Sequence, residues 1–411
     1  MCMRTSYGST AQFVMNSISF AKVDPPLAIV RFLIWYFSFA YWYRYVPALP
    51  QAQLAVVKDL IILLAFLLLA CWFFLYGAQL HTHPLRLRTV LSLLLLVIGI
   101  GLFRQPLLNV GVGIRNYGFM FLLPFGYLLS RHRRKRDVVL TTMLYAMVLS
   151  SAFGVLLYFS PVDSYLIWAR ESLSSDRNLA GVGNPTSAAL VAIWAVLLLW
   201  YLKPRMSFAA KGAVTALCIL SLLTTRSITG FGITVVVFAL YAIFYRKFGA
   251  LLTLAAFAAL GVASQVHRLR EIVSLTDDSL NERLRVWSNL WGRLTGDGSL
   301  AYGLGIGTVA NTFSPTAVGI VDNSYLTLIG QFGLVGFSVF MLVAFGWFVR
   351  SLRISGVATC IFASFAIAMA SGNYLEMGFP MDHLFLLLLI ALVDKPRDQP
   401  AQMAQATVAV Q

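Results

Sequence analysis

Residues 281–336 read NERLRVWSNLWGRLTGDGSLAYGLGIGTVANTFSPTAVGIVDNSYLTLIGQFGLVG. This is the longest run poor in apolar residues between two hydrophobic blocks, and its final third leads directly into an apolar helix. Working outward, the residues on both sides fall into repeated apolar runs of about 20, the length a helix needs to cross a bilayer. The chain has 411 residues, 59% hydrophobic and 11% charged, with mean hydropathy +0.79. A soluble domain is nearer half apolar and a quarter charged. The expected fold class is therefore all-α, a polytopic integral membrane protein, because only helices satisfy the backbone within one segment in lipid.

Twelve spans are expected, at about 25–44, 54–77, 87–103, 115–130, 138–160, 185–202, 212–225, 228–245, 248–264, 323–349, 354–371 and 382–394. Lys and Arg in short connections set the orientation. The densest run is Arg131, Arg133, Arg134, Lys135 and Arg136, which marks that loop as cytoplasmic. Alternation then puts Arg86, Arg88, Lys203, Arg205, Lys211, Arg246, Lys247, Arg350, Arg353, Lys395 and Arg397 on the same side. Both termini are expected in the cytoplasm. Two longer segments, 161–184 and 265–322, fall on the outer side, which in a bacterial inner membrane is the periplasm. The chain thus divides into a transmembrane body (1–264), a large periplasmic loop with short helices (265–322), C-terminal transmembrane helices (323–394) and a cytoplasmic tail (395–411).

A net charge of +15 would point to nucleic acid in a soluble chain. Here most of the basic residues occupy short inter-helix loops, so topology accounts for them and no nucleic-acid partner is expected. The four cysteines are scattered and suggest neither a disulfide framework nor a metal cluster. The N-terminal segment lacks an uninterrupted apolar core beside a small-residue cleavage site, so it is not read as a cleavable signal; residues 10–22 are a candidate interfacial helix. No internal repeat and no matching pair of broken helices is evident, which argues against an inverted-repeat transporter.

The informative departure is arginine on the outer side. Arg104, Arg115 and Arg226 sit at outer ends of spans, and Arg226 lies in a very tight connection, LTTRSITG. An arginine held there needs an anionic partner, and guanidinium forks suit phosphate. The competing reading is that these side chains snorkel to lipid headgroups. Arg283 and Trp287 are spaced i, i+4, which on a helix puts cation beside aromatic on one face. That pairing suits a phosphate flanked by a sugar, or equally an amphipathic helix lying on the membrane. Arg177, in the shorter outer segment, joins the candidate phosphate-binding set.

Gly303, Gly305 and Gly307 resemble a nucleotide loop only superficially, since no strand–turn–helix unit is expected there. A tight turn or close backbone approach suits them better. Asp322–Asn323 opens the tenth span, where an Asp is either a helix N-cap or a carboxylate placed to act as general base on a sugar hydroxyl. Glu376, Asp382 and His383 are further outer-face candidates, and His383 titrates nearest neutral pH when unperturbed. No HExxH, GxSxG, CxxC or Walker loop is present, so no metal and no cofactor are expected. With no soluble segment large enough for ATP, any reaction uses a pre-activated lipid-borne substrate.

Taken in order, G-x-x-N-P (Gly181, Asn184, Pro185), T-R-S (Thr225, Arg226, Ser227), R-x-x-x-W (Arg283, Trp287), G-x-G (Gly303, Gly305), D-N-x-Y-L (Asp322, Asn323, Tyr325, Leu326) and F-G-x-x-G (Phe332 to Gly336) resemble the signature region of the O-antigen polymerase/O-antigen ligase superfamily. The resemblance implies a metal-independent membrane glycosyltransferase of the GT-C type. Its donor would be a glycan on undecaprenyl pyrophosphate, its acceptor a second glycan or lipid A-core, and a chain-length regulator a candidate partner. The resemblance makes Arg226 and Arg283 the pyrophosphate-binding residues. Ligases of this superfamily typically carry His-Asn where this chain has Asp322–Asn323, and the Asp-Asn pair looks more like the polymerases.

The leading expectation is thus a polymerase of a surface polysaccharide, whether O-antigen, capsule or exopolysaccharide. Asp322, Arg226 and Arg283 would be catalytic, and Arg104, Arg115, Arg177, Trp287, Asn323, Tyr325 and His383 would bind substrate. A ligase acting on lipid A-core and a non-enzymatic flippase or transporter of lipid-linked oligosaccharide remain as alternatives.

Overall fold

The computed structural model describes residues 24–41, 57, 59–65, 67–69, 71, 109, 117, 122, 132–159, 178, 180–246, 261, 263, 278–309, 321–372, 374 and 380–393. The helices described in full are α1 (Pro25–Ser38), α2 (Arg133–Phe159), α3 (Pro185–Leu202), α4 (Phe208–Thr224), α5 (Ile228–Tyr245), α6 (Asp278–Gly296), α7 (Ser324–Ile354), α8 (Gly356–Ser371) and α9 (Pro380–Val393), with a 3₁₀ turn at Ala180–Val182. There is no strand among the described residues. Four helices, α2, α3, α5 and α7, are long and apolar enough to cross a membrane, and α1, α4, α8 and α9 are shorter apolar helices. Helices therefore stand where spans were expected at 25–44, 138–160, 185–202, 212–225, 228–245, 323–349, 354–371 and 382–394. The expected spans at 87–103, 115–130 and 248–264, most of 54–77, the candidate helix at 10–22 and the tail at 395–411 lie outside the described residues.

α3 is the axis of the bundle. Its sequence, PTSAALVAIWAVLLLWYL, is apolar on every face, and a helix of that kind must be enclosed. Residues Ala188 to Leu199 are all buried, with α2, α4, α5 and α8 packed around them. Asn184 starts α3 by accepting from the Thr186 and Ser187 amides, and Pro185 occupies the first turn, where its missing N–H costs nothing. The one polar atom of Trp194, its indole N–H, donates to Ser364 Oγ on α8 at 2.7 Å. α1 and α9 close the bundle against α2.

Contacts between helix ends give the helix directions: α2 to α5 alternate along the chain, as do α7 and α8, whereas α1 runs parallel to α2 and α3 parallel to α5. At one end Ser150 on α2 donates to the Ser38 carbonyl of α1, Gly154 on α2 abuts Asn178 and Ala180, Thr186 of α3 meets Ser227 of α5, and Ser324 of α7 donates to Gly372 after α8. At the other end Lys135 pairs with Asp24, Trp200 stacks edge-on against Phe208, and Phe244 and Tyr245 abut Gly356. Arg133, Arg134, Arg136, Lys203, Arg205, Lys211, Arg246, Arg350 and Arg353 gather at this second, basic end. It is the end at which the sequence reading placed the cytoplasmic loops.

α7 is interrupted. Gly333 has φ 65° and ψ −172°, so two helical pieces meet there at a break. The 300–305 segment is stitched into that break. The Leu304 and Gly305 amides donate to the Gly330 and Gln331 carbonyls at 2.7 and 3.0 Å, while the Leu334 and Val335 amides donate to the Leu300 and Ala301 carbonyls at 2.9 and 3.1 Å. These bonds satisfy the backbone groups that the break frees. A Cβ on Gly333 would lie 2.3 Å from the Ala301 carbonyl oxygen, and one on Gly303 2.4 Å from the Gln331 backbone. The glycines serve close backbone approach, as expected from their spacing, and the Gly303 and Gly305 amides are already engaged by Ser299 and Gln331.

Candidate functional site

The site is built on α6 and on the start of α7. α6 is amphipathic: Leu290 and Leu294 are buried, Val286 and Trp287 are partly buried, and Arg285, Ser288, Asn289 and Arg293 point outward. Residues 283, 286, 287, 290 and 294 share one face by helical spacing. That face packs on Leu300, Leu304, Val309, Val321, Leu326 and Ile329, so α6 is docked on the stitched loop and on α7. The sequence had left open a helix lying alone on the membrane surface.

Docking brings Arg283 to Asp322. Its Nε donates to Asp322 Oδ2 at 3.1 Å, with the two side chains 38% and 41% exposed. The bond uses Nε, leaving the guanidinium's Nη donors for another acceptor. One turn further along α6, the Trp287 indole N–H is buried and has no hydrogen-bond partner. A donor in that state calls for an explanation, and a ligand oxygen beside Arg283 supplies one. Arg285 pairs with Glu282 at 2.7 Å on the exposed face, away from Asp322.

Asp322 is free for this pairing because Asn323 takes the capping role. Asn323 Oδ1 accepts from the Tyr325 and Leu326 amides at 3.0 and 3.1 Å, and its Nδ2 donates to the Ala370 carbonyl at 3.0 Å. The Tyr325 hydroxyl donates to the Ala366 carbonyl at 2.8 Å. Asn323 and Tyr325 thus fasten α7 to α8. Of the other base candidates, Asp382 and His383 are 1% and 2% exposed. They bond each other, Nδ1 to Oδ1 at 2.5 Å, with the Phe37 ring 4.4 Å from the imidazole. Glu376 lies outside the described residues, as do Arg104, Arg115 and Arg177.

Arg226 is exposed, in the left-handed region at φ 49°, and among the described residues it has no ion-pair or side-chain partner. Its turn is held rigidly: Thr225 Oγ1 donates to the Leu222 carbonyl at 2.7 Å, and Ser227 caps α5 by accepting from the Gly230 amide at 3.0 Å. From this turn a row of polar contacts leads to the Arg283–Asp322 pair. Ser227 Oγ lies 3.0 Å from Thr186 Oγ1. Thr186 and Ser187 face the buried Tyr374 phenol, and the Tyr374 amide donates to Ser324 Oγ at 2.8 Å. Burial raises the Tyr374 phenol's pKa, contacts with Ser187 and Thr186 oppose that, and the nearby Asp322 charge adds to the rise. The row thus runs from the turn that carries Arg226 to the start of α7, where Asp322 holds Arg283.

Two buried side chains that sequence reasoning missed hold this end in place. Asn178 Nδ2 donates to Thr224 Oγ1, Ser221 Oγ and the Ser221 carbonyl at 2.9, 3.2 and 3.2 Å, and its Oδ1 accepts from the Ala180 amide at 2.8 Å. It locks the turn before α3 to the end of α4, next to Arg226. Gln331 Oε1 accepts from the Tyr117 hydroxyl at 2.8 Å, just before the α7 break. No local pattern announces either residue, since Asn178 donates to residues 43 and 46 positions on and Gln331 meets Tyr117 across 214 positions.

No protein-family model matches the chain, and no curated protein matches it.

Proposed function

We propose that this protein is a membrane glycosyltransferase that polymerises repeat units of a surface polysaccharide from an undecaprenyl-pyrophosphate-linked donor. The observation that carries the reading is the Arg283–Asp322 pair, half exposed, beside an unpartnered Trp287 N–H, with Arg226, which has no side-chain partner among the described residues, at the same end of the bundle. A diphosphate that competes for Arg283 frees the Asp322 carboxylate beside the acceptor sugar. The acceptor hydroxyl oxygen then bonds to the donor's anomeric carbon, and the bond from that carbon to the phosphate oxygen breaks. The hydroxyl proton passes to Asp322, and the lipid diphosphate leaves with the bonding pair, its charge held by Arg283 and Arg226. Trp287 offers its ring face to a sugar and its N–H to an oxygen. No step uses a metal or a cofactor. In this reading the site faces the periplasm of a bacterial inner membrane, the basic end and both termini face the cytoplasm, and twelve spans complete the body.

Asp322 is preferred as base over Asp382 and His383 because it is half exposed and beside an arginine, whereas those two are enclosed by the bundle. The test is reconstitution: purified protein in liposomes with a lipid-linked repeat unit yields a ladder of long lipid-linked glycan. Arg283→Ala and Asp322→Asn remove the ladder while the protein stays folded. Normal chain length in both variants excludes the assignment. Adding lipid A-core as acceptor separates polymerase from ligase, and movement of labelled donor without bond formation marks a transporter.

A further inference from the structure

The basic end holds a second, separate feature. Between α1 and α2 runs an open groove of about 660 Å³, lined by Arg31 and Trp35 of α1 and by Arg133, Arg134, Asp137 and Tyr145 of α2. Arg31 is seven residues beyond the Asp24 cap, so it lies about 10 Å along an otherwise apolar helix. A charge at that depth in a membrane protein needs an anion. None is supplied by the described chain: Asp24 is taken by Lys135, and Asp137 by Arg136, whose Nη2 and Nε lie 3.3 and 3.4 Å away. Arg31, Arg133 and Arg134 thus line one groove, and among the described residues its lining carboxylate, Asp137, is paired with Arg136 and not with any of them. Farther along α2 the surface turns apolar, with Tyr145, Leu149 and Leu156 exposed at 50%, 51% and 71%. Charge at the mouth, aromatics beneath it and an aliphatic stripe beyond match the layout of a phospholipid.

We propose that this groove seats an anionic phospholipid. Its phosphate lies between Arg31, Arg133 and Arg134, its glycerol region against Trp35 and Tyr145, and an acyl chain follows Leu149 toward Leu156. Guanidinium groups fit phosphate oxygens in pairs, and basic clefts between membrane helices recognise such headgroups. The groove is too large for inorganic phosphate alone and too basic to favour a zwitterionic lipid.

The test uses native mass spectrometry of the full chain in detergent, titrated with phosphatidylglycerol, phosphatidylcholine or inorganic phosphate. The expected result is one tightly held phosphatidylglycerol, about tenfold preferred over phosphatidylcholine. Arg31→Gln with Arg134→Gln abolishes that preference, and Arg285→Ala, on the exposed face of α6, leaves it intact. Should the double variant fail to fold, the unmodified protein still decides: its melting midpoint rises with phosphatidylglycerol and not with phosphatidylcholine. Equal retention of both lipids, an unchanged preference in the double variant, or inorganic phosphate alone reproducing the shift overturns the proposal.

Discussion

The two ends of this bundle use polar side chains in opposite ways. At the end that carries the candidate site, most of them are committed: Asn178, Asn184, Ser227 and Asn323 cap or clamp helix termini, and Arg283 holds Asp322. At the basic end, Arg31, Arg133 and Arg134 line a groove and face outward, and the carboxylate that lines it with them, Asp137, is paired with Arg136. The first arrangement fixes geometry, and the second leaves charge available. A transfer reaction needs fixed geometry, because a small misplacement of reacting groups costs large factors in rate. A lipid contact needs only charge of the right sign at the right depth. Within the committed end, the Arg226 side chain and the Trp287 N–H are among the groups without a partner in the described residues, along with Thr327 Oγ1 and Asp382 Oδ2.

The sharpest way to break this contrast is at Arg283. Arg283→Ala is expected to lower polymer formation by a hundredfold or more, the usual cost of removing one group that stabilises developing charge. Because the pair is half exposed, the change in stability should stay within about 1 kcal/mol. Glycan ladders on gels and a melting midpoint in detergent measure the two separately. A variant with full-length product would reduce the pair to a structural latch.

Next in size is the α7 break. Gly333→Ala places a side chain at φ 65°, against the Ala301 carbonyl, and is expected to cost about 3 kcal/mol. Limited proteolysis should then cut within 297–305, because that segment loses its seat on α7. If the variant is as stable and as resistant as the parent, the stitching contributes little. Asn178→Ala ranks third. It leaves the Ala180 amide and the Thr224 hydroxyl region short of a buried partner, at about 2 kcal/mol. Thermal unfolding measures that loss, and activity should fall with it because Arg226 sits on the turn Asn178 anchors.

How much of this was legible in the chain depends on the range of the interaction. α3, α5 and α8 are written as apolar runs, and hydropathy finds them within a residue or two. The shared face of Arg283 and Trp287 follows from i, i+4 spacing alone. Asp322 and Asn323 illustrate the limit: both are good caps, and a shift of one residue decides which one caps and which one pairs. The break at Gly333 was hidden because Gly330 and Gly336 flank it at helical spacing, and a glycine in a helix costs only about 1 kcal/mol. Its φ makes sense only with Leu300 and Ala301 beside it. Arg31 was passed over because one charge does not interrupt an apolar run, and the groove appears only when α2 lies alongside α1.

The smallest expected change in stability falls at Arg226, and it discriminates most cleanly between folding and function. Lys203 and Arg246 share its left-handed backbone, at φ 47° and 52°. At those two positions a cation closes a helix at the basic end, which the helix dipole favours. If Arg226 served only that purpose, glycine would fill the position with less backbone strain. Arg226→Gly should therefore leave the fold unchanged, or stabilise it by up to about 1 kcal/mol. If Arg226 instead holds the departing diphosphate, the same variant loses long-chain glycan despite its intact fold. Lys203→Gly, at the basic end, should leave chain length untouched. Equal chain lengths in the two variants would return Arg226 to the role of a helix cap.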